Sequence, residues 1–137
     1  MVKAADEVLG NSTVFQNDDE LLFAINANDI WLVRFFILYT TTAVADIKFW
    51  ITVPAAGTIL LPLGYGLNAA QVWTVIPSDA SREQFGGEGA PLPACFYFIV
   101  FNGVNAGNIQ LQWAKNANEV SDTTVHENSI LIGEKLN

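Results

Sequence analysis

Few side chains in this sequence have the type and spacing that chemistry requires. His126 is the single histidine, so a Ser-His-Asp triad would have to use it as base. It lies in the polar turn Thr124-Val125-His126-Glu127-Asn128 with no nucleophile elbow nearby, and a solvated turn histidine is expected. Cys95, the single cysteine, excludes an intrachain disulfide framework and a cysteine-based zinc site. It sits in an apolar run, where a thiol behaves as a small inert hydrophobe, and its neighbours supply no positive charge to activate it. Asp18-Asp19-Glu20 are consecutive acids, whereas calcium loops alternate their oxygen ligands around a glycine. A solvated turn is expected there, with an adventitious cation between subunits as the alternative. Gly86-Gly87-Glu88-Gly89 lacks the lysine and Ser/Thr of a phosphate loop, and no helix follows it. Asn11-Ser12-Thr13 matches a glycosylation sequon but has no secretory signal beside it. Of the four tryptophans, Trp31 and Trp113 fall on expected core faces, Trp50 on a polar face and Trp73 beside a loop. These residues point to a protein that is not an enzyme and uses no cofactor or metal, with sugar stacking on tryptophan as a minor option.

The composition sets wider bounds. The length of 137 residues accommodates one domain, read as an arm or ordered lead-in at 1–12 followed by a single sandwich at 13–137. Apolar residues make up 51% of the chain, enough for a sizeable core with apolar surface left over. Fourteen acidic against six basic residues give a net charge of −8, which repels phosphate backbones, so no nucleic-acid partner is expected. No apolar run approaches the roughly 20 residues that span a bilayer, and the longest, 30–39, is broken by Arg34. The expectation is a soluble protein made in a reducing cytoplasm, with no membrane partner.

The elements that must position these residues read as short β-runs separated by turn residues. Runs at 14–16, 20–26, 29–39, 45–53, 59–61, 71–76, 94–101, 108–116, 123–125 and 129–135 are set off by Asn, Asp, Gly and Pro. Turns are expected at 17–19 and 26–29, and 77–93 is the longest irregular stretch. With no amphipathic helix, about eight principal strands predict an all-β antiparallel sandwich, and a jelly roll is the natural arrangement.

Residues 45–53 alternate, as a sheet with one wet face should. Residues 29–39 and 94–101 do not. In the first, Trp31, Val33, Phe35 and Ile37 oppose Ile30, Leu32, Phe36 and Leu38, which flank Arg34. In the second, Cys95, Tyr97, Ile99 and Phe101 oppose Phe96, Phe98 and Val100. Strands apolar on both faces require a cover on both sides, and another subunit is expected to supply the outer one. The alternative is the 77–93 stretch folded over it. Leu32, Arg34, Phe36, Leu38, Tyr97 and Ile99 are the expected interface residues.

Several stretches carry a resemblance. Asn11-Ser12-Thr13-Val14-Phe15-Gln16-Asn17-Asp18-Asp19-Glu20-Leu21-Leu22-Phe23 runs into Ala27-Asn28-Asp29-Ile30-Trp31. Ala45-Asp46-Ile47-Lys48-Phe49, Thr52-Val53-Pro54 and Leu111-Gln112-Trp113-Ala114-Lys115-Asn116 follow, before Thr123-Thr124-Val125 and Ser129-Ile130-Leu131-Ile132. Together they resemble a family of small structural proteins and tail-protein domains of tailed phages and prophages. The likeness runs from about residue 11 to 136 and is poorest over 57–93. It implies a virion component made in the host cytoplasm, and similar jelly-roll modules tend to be homotrimers. Arg34 would then lie near a threefold axis and need a carboxylate or carbonyl partner. The function so implied is a capsid decoration protein that stabilises the shell, with the major capsid protein or other virion proteins as partners. The alternative is a tail, fibre-tip or receptor-binding protein touching carbohydrate or the host surface.

Overall fold

Runs of β-branched and aromatic residues cannot bury both faces of a lone strand, so they pair into sheets and lay their apolar sides together. A computed structural model of the protein describes residues 1–67, 73–77 and 83–137, without the side chains of 61, 62, 73–77 and 83. No helix occurs among the described residues. The strands in chain order are β1 (Glu7–Leu9), β2 (Gln16–Ile25), β3 (Ile30–Thr40), β4 (Ile47–Thr52), β5 (Thr58–Leu67) and β6 (Trp73–Pro77). They continue as β7 (Glu83–Phe85), β8 (Leu92–Phe101), β9 (Gly107–Lys115), β10 (Thr123–Val125) and β11 (Ile130–Lys135).

Two antiparallel sheets result. The larger runs β1-β10-β3-β8-β5-β6, with β11 also paired to β3, and the smaller runs β2-β9-β4-β7. They pack face to face as a β-sandwich. Val33, Phe35, Ile37 and Tyr39 of β3 and Ala94, Phe96, Phe98 and Val100 of β8 line the core from one side. Ile47, Phe49 and Ile51 of β4 and Ile109, Leu111 and Trp113 of β9 line it from the other. At one end Tyr39, Phe49, Phe85 and Phe96 pack edge to face with centroids 5.4–6.4 Å apart. The Tyr39 hydroxyl donates to the Gly86 carbonyl at 2.8 Å, and burial raises its pKa well above the ordinary phenol value.

The structure departs from the sequence reading in several places. The expected turn at 17–19 is a bulge inside β2, where the register passes from Asn17↔Gln112 to Leu22↔Gln110. Asp18 drives it: its fully buried carboxylate accepts from the Glu20 and Leu21 amides and from the Lys3 ammonium, so it is no solvated turn residue. The short strand at 59–61 extends to ten residues in β5, and part of the irregular 77–93 stretch is strand, as β7. Residues 78–82 of that stretch, and 71–72 of the run expected at 71–76, lie outside the described residues.

Of the two readings of the first residues, arm or ordered lead-in, the contacts match the lead-in: they are fastened to their own chain. The Met1 ammonium donates to the Leu131 carbonyl, Lys3 and Ser129 pair through their backbones, and β1 pairs with β10. Lys3 then reaches across to the small sheet. Its buried ammonium lies 3.1 Å from both Glu7 and Asp18, and burial alone would lower its pKa. Hydrogen bonds to those carboxylates outweigh the burial and hold the group above its ordinary value.

Candidate functional site

The residues singled out for chemistry do not converge. His126 follows β10 and is only part-exposed, with Nε2 2.7 Å from the Thr40 hydroxyl and Nδ1 3.2 Å from Asp6. It therefore fastens the N-terminal segment, where a solvated histidine was expected. The backbone amide of Glu127, and then His126, hold Asp6 below the usual carboxylate range. Cys95 lies on β8 opposite Phe36, with no hydrogen bond joining it to His126, and burial pushes its thiol up, the direction that suppresses a nucleophile. Gly86 and Gly87 are buried at one end of the sandwich, where the Gly86 amide donates to Leu67 and a Cβ at Gly87 would strike the Thr41 carbonyl. That glycine serves close packing. Among the described residues no group of three or more His, Cys, Asp or Glu is placed to hold a metal ion. Among the described residues no helix is long and apolar enough to cross a membrane.

The two outer faces differ in character. On the small sheet, Lys48, Trp50 and Thr52 of β4 lie beside Gln112 and Gln110 of β9. Gln112 donates to Asn17 at 2.7 Å, Phe15 packs edge-on against Trp50 at 5.6 Å, and the Lys48 ammonium stands 5.0 Å above the Phe15 ring. This is the polar, watered face that the alternation of 45–53 predicts. Trp113 is fully buried as expected, whereas Trp31 is only half-buried, with Phe23 against it at 5.1 Å. The side chain of Trp73 lies outside the described residues.

The outer face of the large sheet is apolar across four strands. Register places Leu32 beside Ile99, Arg34 beside Tyr97 and Phe36 beside Cys95, while Leu38 faces Pro93. All six expected interface residues therefore share one continuous surface. Leu32, Arg34, Phe36, Leu38 and Ile99 are half-buried by their neighbours, and Tyr97 is exposed. The surface extends further than the sequence reading placed it. Leu60, Leu63 and Tyr65 of β5 continue it beyond β8, and Ile130, Ile132 and Glu134 of β11 continue it beyond β3. Leu60, Leu63, Tyr65, Tyr97, Phe101 and Ile132 retain between 37% and 47% exposure. The Ile130–Lys135 alternation held the signal for β11, but only the pairing partner reveals which sheet it widens.

Strand spacing and rise give this face roughly 600 Å², at the upper end of the largest apolar patch on a typical monomer. Among the described elements none packs over it. β7 joins the small sheet and Gly86 and Gly87 pack at the sandwich end, so the described part of the 77–93 stretch does not cover it. An open apolar recess of about 160 Å³ indents the face between Phe36, Leu38, Pro93, Cys95 and Asn128. Such a surface can exclude water against a second apolar surface.

No family model, curated protein or solved structure matches the chain.

Proposed function

We propose that this protein is a structural subunit that works by covering the outer face of its large sheet with copies of itself. The observation that carries the reading is the continuous apolar surface of β11, β3, β8 and β5, with Arg34 at its centre. Charge distribution supports copies of the same chain as the cover. A chain of net charge −8 repels its own kind over most of its surface. Among the described residues this face carries one arginine and one glutamate amid apolar side chains, so two copies meet there without that repulsion. Its roughly 600 Å² reaches the lower end of the standard interface range, about 600–1,000 Å² per partner.

The sequence resemblance supports reading such an assembly as part of a phage particle. On that reading the chain is a capsid decoration protein, a homotrimer of jelly-roll subunits that stabilises the shell by contact with the major capsid protein. A tail or receptor-binding role is the second reading, favoured by the Phe15, Trp50 and Lys48 cluster on the polar face of the small sheet. Incubating purified protein with expanded, undecorated capsids and with host cells separates the two. Saturable capsid binding supports decoration. Binding to cells or wall sugars alone moves the protein to the tail.

A further inference from the structure

Arg34 stands in the middle of the open face, beside Tyr97 on β8 and Ile132 on β11. It makes no hydrogen bond or ion pair with its own chain among the described residues. Glu134 lies on the same face, because it pairs with Leu32 on β3, and it too has no such partner. Most other carboxylates are occupied: Asp6 by His126, Glu7, Asp18 and Glu20 by Lys3, Asp29 by Lys135, Asp46 by Gln84 and Glu119 by Ser121. Asp19, Glu88, Asp122 and Glu127 sit on β2 or in the connections between strands, and none belongs to β3, β5, β8 or β11. Among the described residues the surface thus presents one unpaired cation, Arg34, and one unpaired carboxylate, Glu134.

We propose that Arg34 of one copy pairs with Glu134 of the next, and that this pair fixes the register in which the large sheets meet. The inference rests on the self-assembly reading above. A cover over this face takes Arg34 out of water, and an unpaired buried guanidinium is strongly unfavourable. A guanidinium also presents a planar fork that a carboxylate matches with two parallel hydrogen bonds. Between otherwise apolar surfaces, which slide with little penalty, a single directional pair selects one alignment, as one polar residue does in a coiled coil. Glu134 is diagonal to Arg34 across β11 and β3 in its own chain, yet the two side chains do not meet there, which leaves both available to a neighbour.

Sedimentation equilibrium on the wild type, R34E, E134R and an equimolar mixture of the two variants tests the pair. The wild type associates, each reversal weakens association by about tenfold or more, and the mixture associates more tightly than either variant alone. The mixture is decisive because it restores opposite charges only between chains. Single variants that associate like the wild type overturn the pair, and so does a mixture no tighter than its components, which is the result expected for a contact within one chain. A wild type that is monomeric at every concentration overturns the self-assembly reading itself, and the pair with it.

Discussion

Replacing Leu60 by aspartate separates the role of the open face from that of the core. Leu60 points outward from β5, beside Ile99, and keeps 43% exposure in the single chain. A cover that removes this remainder from water takes away about 80 Å² of apolar surface, worth roughly 2 kcal/mol per copy. An aspartate in the same place loses that term and adds a carboxylate with no partner among Ile99 and Leu63, about 1–3 kcal/mol more. Leu60→Asp therefore raises the dissociation constant for self-association by about a hundredfold or more. The fold itself should barely respond, because a solvent-facing substitution shifts stability by about 0.5 kcal/mol or less. Light scattering across a dilution series reads the first effect and a thermal melt of the monomer reads the second. Ala24→Asp, at an exposed position of β2 in the small sheet, is the control and leaves association unchanged. An unchanged dissociation constant for Leu60→Asp, with the fold intact, would refute the reasoning.

Other predictions concern the fold. Lys3→Ala leaves the fully buried Asp18 without its cation and costs about 3–5 kcal/mol in urea unfolding, while Lys3→Arg recovers part of the loss. Gly66→Ala sets a Cβ 2.5 Å from the Phe85 ring, which Phe49 and Phe96 hold in place, and destabilises by about 1–3 kcal/mol in the same assay. Asp29 is held below its usual pKa by a hydrogen bond from Lys135 and then by the Asn26 amide. Because its folded pKa is depressed, its contribution is complete above the ordinary value of 3.8 and is lost as pH falls through the lower folded value. Asp29→Asn should flatten the fall in stability below about pH 4, measured by urea unfolding at stepped pH.

What the sequence carried was local. The strict alternation of 45–53 and the two-faced apolar character of 29–39 and 94–101 follow from side-chain period alone, and β4, β3 and β8 bear out those faces. The left-handed Asn28, at φ 62°, sits in the turn that its residue type announced. Long-range pairing was not legible. Asp18 reads as a turn acid because its partner Lys3 is 15 residues away, and burying the pair turns a polar run into a bulged strand. Glycine and proline in 58–67 disguised β5, whose Gly66 is required so that Phe85 can pack above it. The candidate face suffered likewise: six of its residues were readable from two strands, but its extension over β5 and β11 depends on register that no local pattern encodes.

The claim that the large sheet is covered by copies of the same chain is tested most directly by the mass of the wild-type protein in solution. Sedimentation equilibrium at micromolar concentration should give a closed oligomer, about 45 kDa for three chains of 14.9 kDa. A single species of 14.9 kDa that persists across the whole concentration range would contradict the account.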